Sequence, residues 1–140
     1  MTTHELVDDL DAQLLALGHS RLDAEQIEIL SDGPIDERRA LLDDLDARVG
    51  VRPCSLDDVP AAEQLTAAFG RPFPFMDDRN VRCWSTGQDG FHIVDTLENS
   101  FQILQRVETA ESVFWLHASA PTPEWDVAWL IAYWSPVLSS

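Results

Sequence analysis

The 140-residue sequence contains no lysine. Its nine basic residues are all arginines, scattered from Arg21 to Arg106, against 25 aspartates and glutamates, for a formal charge of −16. This shortage of positive charge excludes direct nucleic-acid binding through phosphates, which needs a basic stripe or patch. No glycine-rich loop precedes a helix to cradle a phosphate either. The missing lysine is what a GC-rich genome favouring arginine codons produces, and no function is rested on it.

Other absences narrow the field further. The only cysteines are Cys54 and Cys83, and the first twenty residues hold Glu5, Asp8, Asp9 and Asp11 with no basic residue. A secretion signal needs a positive start and an apolar run, so the expectation is a cytoplasmic protein with reduced thiols. The longest apolar run, Val127–Trp134, has eight residues, far below the roughly 18–20 that span a bilayer. A negative chain is also repelled by anionic lipid, so no membrane partner is expected. No two of His4, His19, His92, His117, Cys54 and Cys83 lie within five residues, which is not zinc-site spacing. The acid clusters at 8–11 and 43–46 lack the loop glycine and closing glutamate of a calcium loop. No metal or cofactor is expected.

What is present suffices for a core: 45% hydrophobic residues, five tryptophans and six phenylalanines, in a length typical of one domain. Residues 1–70 carry 16 acids and 5 arginines, a net −11, whereas residues 71–140 carry 9 and 4, a net −5. Four of the five tryptophans lie beyond residue 100. The expected organisation is a single α+β domain over 1–140, with an acidic helical part (1–70) and a mixed β/α part (71–140).

The front half reads as four helices. Leu6, Leu10, Leu14 and Leu17 form a helical stripe ending at Gly18. Asp23 with Gln26 makes a capping-box start for a short helix, stapled by Leu22 and Ile27. Pro34 opens a third helix through Ile35, Leu42, Leu45 and Val49 to Gly50. A fourth starts at Asp57 or Asp58, because Pro60 is tolerated only in a first turn, and runs to Gly70. The string Asp8-Asp9-Leu10-Asp11-Ala12 recurs as Asp43-Asp44-Leu45-Asp46-Ala47, 35 residues on. A duplicated helical hairpin gives such a period, and so does chance in a chain rich in Asp, Leu and Ala.

The back half switches to period two. Strands are expected over 80–86, around Phe91, Ile93 and Leu97 after the turn Gly87-Gln88-Asp89-Gly90, around Phe101–Val107, and over 113–118, forming an antiparallel meander. Leu97, Phe101, Leu104 and Val107 also fit a helix. A final helix is expected from a Thr122 cap, with Pro123 and Glu124 in its first turn, to Trp134.

Two features point to partners. Asp8, Asp9, Asp11, Asp43, Asp44 and Asp46 would set carboxylates on equivalent faces of two helices, an array that steers a basic partner; the plain alternative is a solvated face. Trp125, Trp129, Tyr133 and Trp134 lie on a helix apolar all round, which is either deeply buried or shared with a partner or a second copy. The leading expectation is therefore a non-catalytic binding protein that inhibits a partner with a basic, nucleic-acid-handling surface, as small acidic immunity and phage anti-defence proteins do. The alternatives are a dimeric secretion-type chaperone or assembly subunit, and a small-ligand enzyme using His92, Asp95 and His117. Cys83 beside His92 or His117 could serve as a nucleophile, but a small buried hydrophobe is the simpler role.

Overall fold

The computed structural model describes residues 2–54, 58–136 and 138. It has the expected α+β architecture: a helical front half, an antiparallel sheet and a Trp-rich C-terminal helix.

Helix α1 (Thr3–Ala16) starts from a capping box made by Thr2 and Glu5 and buries Leu6, Leu10 and Leu14. Leu17 stands beyond its end and is exposed. Helix α2 (Ala24–Asp32) has the Asp23–Gln26 capping box read from the sequence. Helix α3 (Ile35–Val49) follows Pro34 directly and ends at Gly50, whose φ of 69° admits the left-handed closing turn. Helix α4 runs Ala61–Phe69 with Pro60 just before it. A start at Asp58 is therefore too early, since proline's fixed φ favours a position at the helix boundary. Asp57 lies outside the described residues.

The sheet is a meander in the order β1 (Phe73–Phe75), β2 (Asp78–Ser85), β3 (Phe91–Asp95), β4 (Ser100–Glu108) and β5 (Val113–His117), with β6 (Thr122–Pro123) pairing with the start of β4. Residues 97–107 thus resolve as strand for the most part. Leu97 belongs to neither strand: it sits in the β3–β4 turn at φ 65°, exposed. Thr122 and Pro123 pair with Phe101 and Ser100 rather than opening a helix. A 3-10 turn (Glu124–Asp126) leads into helix α5 (Val127–Trp134). The expected Thr122 cap fails because Asn99 O already takes the Glu124 N–H, holding that stretch at the sheet edge.

Helix α5 lies between the two apolar layers. Ala132, with Trp129 and Tyr133 against it, joins the cluster of Leu6, Leu10, Leu42 and Leu45. Val127, Leu130 and Ile131 join Leu65, Trp84, Ile93 and Ile103 between α4 and the sheet. Burial on both sides accounts for its all-round apolar surface. The 35-residue echo does not yield two packed hairpins. Leu10 and Leu45 share one cluster, but α2 packs on α1 and α3 whereas α4 packs chiefly on α5 and β2.

The sheet face away from the helices is curled. The rings of Phe75 on β1 and Trp115 on β5 have centroids 4.9 Å apart, although four strand spacings of about 4.8 Å would separate these strands in a flat sheet. His92 touches both Phe73 and Trp115, and the rings close over Cys83, Val94 and Leu104. At the β2–β3 turn, Gly90 has φ +80°, and a Cβ there would stand 2.7 Å from Arg106 O, so no other residue fits.

Candidate partner-binding surface

The arginines of the helical half decide which charges face outward. Arg38 is buried; its Nε donates to Ala132 O at 2.9 Å and its Nη2 to Ser135 O. Arg39 Nε donates to Tyr133 O at 2.7 Å, and its guanidinium lies 4.5 Å from the centre of the Trp134 ring. Gln88 Nε2 donates to Trp134 O. Four successive carbonyls at the α5 C-terminus, which a helix leaves without internal partners, thereby receive side-chain donors, three of them from guanidinium groups. Burial first, and the neighbouring Arg39 second, lower the Arg38 pKa to about 10, so it stays charged at neutral pH.

Arg52 secures the other end of α5. It pairs with Asp46 at 2.9 Å and Asp126 at 2.6 Å, and lies 3.9 Å from the centre of the Trp129 ring. Asp126 precedes α5 but makes no cap bond, because its carboxylate is turned to Arg52. Three of the five front-half arginines are therefore engaged in the packing of α5. The sequence does not mark these roles, since the partners lie 74 to 97 residues away.

The six aspartates singled out from the sequence are divided between fold and surface. Asp9 accepts from Cys54 N at 2.8 Å, Asp11 from Leu22 N at 2.8 Å, and Asp43 from Tyr133 Oη at 3.1 Å, while Asp46 pairs with Arg52. Asp8 and Asp44 are exposed beside His4 and Arg48, one helical turn away. The Asp43 contact, after burial, helps raise the Tyr133 pKa.

A different acidic surface emerges between α2 and α3. Glu25, Glu28, Asp32 and Glu37 line an open groove of about 440 Å³ with Ile29, Gly33 and Pro34, and no basic residue contributes to its wall. Among the described residues none of the four carboxylates has an internal hydrogen bond or ion pair. The groove was missed in the sequence because its acids are spread over 13 positions rather than clustered. Their i, i+3 and i+4 spacing on α2 was the available signal.

The aromatic residues also separate. Trp129 stacks on Tyr133 with centroids 5.3 Å apart, and Trp134 packs on Phe91 at 4.9 Å. Trp125, in the 3-10 turn, is 75% exposed.

His92, Asp95 and His117 do not converge. His92, Leu104 and His117 form one cross-strand row, but Asp95, three residues after His92 on the same strand, faces the opposite side of the sheet. There it pairs with Arg82 at 3.0 Å. His92 Nδ1 lies 2.7 Å from Gly90 O. Cys83 is fully buried, and desolvation raises its thiol pKa from 9.0 to about 12, which removes the thiolate a nucleophile needs. Cys54 is exposed and neither cysteine is in a disulfide. A thiol reagent should therefore label Cys54 at once and Cys83 only as fast as the fold opens, at least about 10³-fold slower. Mass spectrometry of a labelling time course checks this; comparable rates would contradict the burial of Cys83.

Among the described residues, no group of three or more His, Cys, Asp or Glu is placed to hold a metal ion. No helix among them is long and apolar enough to cross a membrane. The fold and surface define an α+β protein with a strongly acidic helical layer. No protein-family model, curated protein or solved structure matches the chain.

Proposed function

We propose that this protein is a non-catalytic binding module that neutralises a partner protein with a basic, nucleic-acid-handling surface. The observation that supports this reading is the partition of charge in the helical half. Arg38, Arg39 and Arg52 are turned inward onto α5, while Glu25, Glu28, Asp32 and Glu37 face solvent around one groove. A surface of one sign raises encounter rates with an oppositely charged partner and repels like-charged competitors. It also occupies the place that nucleic-acid phosphate would take on such a partner.

The test uses a basic partner captured on the immobilised full-length chain. The triple reversal Glu28→Lys, Asp32→Lys and Glu37→Lys should slow association at least about tenfold, and reversing Asp43 and Asp44 should slow it too. Asp89→Lys, in the β2–β3 turn, should leave the rate nearly unchanged. Equal effects of groove and turn reversals would overturn the reading, as would failure to capture any basic protein.

A further inference from the structure

The sheet has two edges, and they are built differently. Edge strand β1 has three residues, a central proline without an N–H, and a register break between Pro74 and Phe75. Those features block pairing with another strand. Edge strand β5 has none of them. Its sequence, Val113-Phe114-Trp115-Leu116-His117, contains no proline, acid, lysine or arginine, and its register with β4 is unbroken over all five residues.

The direction of its backbone groups follows from two flanking bonds. Ala118 N donates to Ile103 O, and Thr109 N to Ser112 O. Bonding alternates along an antiparallel ladder, so the even-numbered residues 112, 114, 116 and 118 face β4. Val113, Trp115 and His117 turn their N–H and C=O groups to the open edge. Val113, Phe114 and Leu116 are 46%, 41% and 47% exposed.

The geometry points to a weak homodimer formed by antiparallel pairing of β5 with β5 of a second copy, centred on Trp115. In that register Trp115 pairs with its counterpart and Val113 with His117 of the other copy, a ladder of six main-chain hydrogen bonds. Phe114 then stands directly opposite Leu116 of the other copy, twice over, so the exposed apolar side chains are matched to each other. An interface repeated by a two-fold axis must be self-complementary in this way. Two chains of −16 repel, and that repulsion is least at β5, which carries no acid.

The strip is about 17 Å long, from five residues at roughly 3.4 Å each. It buries about 300–400 Å² per copy, at most half of the roughly 800 Å² per partner of a stable complex. Association is therefore weak and concentration-dependent. Because the opposing force is repulsion between like charges, dimerisation strengthens with salt as the screening length falls from about 30 Å at 10 mM to about 3 Å at 1 M. The salt dependence of basic-partner binding has the opposite sign, so the two readings fail separately.

Sedimentation velocity of the full-length chain across micromolar to millimolar concentration tests the proposal. Amide exchange resolved by NMR supplies a signature on the unaltered protein. The amides of Val113, Trp115 and His117 should slow at least about fivefold at the highest concentration, while those of Phe114 and Leu116 stay protected throughout. Leu116→Lys, at an exposed position, should weaken dimerisation at least tenfold. A monomer at every concentration and salt overturns the proposal. So does a dimer that leaves the three odd-numbered amides unchanged, or protection of these amides that appears only when a different protein is added.

Discussion

Replacing Arg38 with methionine is expected to cost about 1–3 kcal/mol of folding stability, the range for depriving a buried carbonyl of its donor. At this chain length that corresponds to a fall in Tm of roughly 3–10 °C. Methionine keeps most of the side chain's apolar volume, so the loss reports the guanidinium. Without it, Ala132 O and Ser135 O lose the donors that Arg38 Nε and Nη2 supply at the buried end of α5. Lysine should not rescue the protein. A single ammonium cannot fork across two carbonyls, and the burial that lowers arginine to about 10 would bring the more easily deprotonated lysine towards neutrality. Thermal unfolding of wild type, Arg38→Met and Arg38→Lys checks this. A loss below about 1 kcal/mol in Arg38→Met would mean that the C-terminus of α5 is held some other way.

Alkaline pH is expected to destabilise the fold through Cys83. Its folded pKa, about 12, lies above the unfolded value of 9.0, so the native state retains a proton that the unfolded chain releases. The contribution is fully present below pH 9 and is lost as pH rises towards 12, at about 1.4 kcal/mol per unit. Tyr133, also raised, acts in the same direction from its ordinary value of 10.0 upwards. Arg38 acts oppositely above about pH 10, since there the unfolded state holds the extra proton. In the interval from pH 9 to 10 the thiol therefore dominates, with a loss of about 1 kcal/mol. Urea unfolding at pH 8, 9 and 10 should show this slope in the wild type and its disappearance in Cys83→Ala. An unchanged slope in the variant would assign the alkaline sensitivity to another group.

Local signals carried most of the fold. The Leu6, Leu10, Leu14 stripe and the Asp23–Gln26 capping box read directly as α1 and α2, because each depends on neighbours three or four residues away. Strand β4 was ambiguous for a physical reason: Phe101 and Ile103 pack towards the helices while Gln102 and Leu104 are buried on the curled face. A strand covered on both sides loses its alternation. The start of α5 was misjudged because Thr122-Pro123 is suited equally to a helix start and to a short edge pairing, and only the position of Asn99 decides between them. The surface was less legible still. Whether Asp9 or Asp46 faces solvent depends on Cys54 and Arg52, which a helical wheel does not contain. The acids lining the α2–α3 groove drew no attention because they form no compact string.

These observations describe one arrangement: three of the five arginines of the helical half hold α5 in place, and the acids of the α2–α3 groove face outward. The measurement that tests the proposed function most directly is the association rate constant between the chain and a basic protein captured on it, followed from about 10 mM to 1 M salt. The account predicts a fall of about ten- to a thousandfold as the screening length shortens, with dissociation changing far less. An association rate indifferent to salt would contradict it.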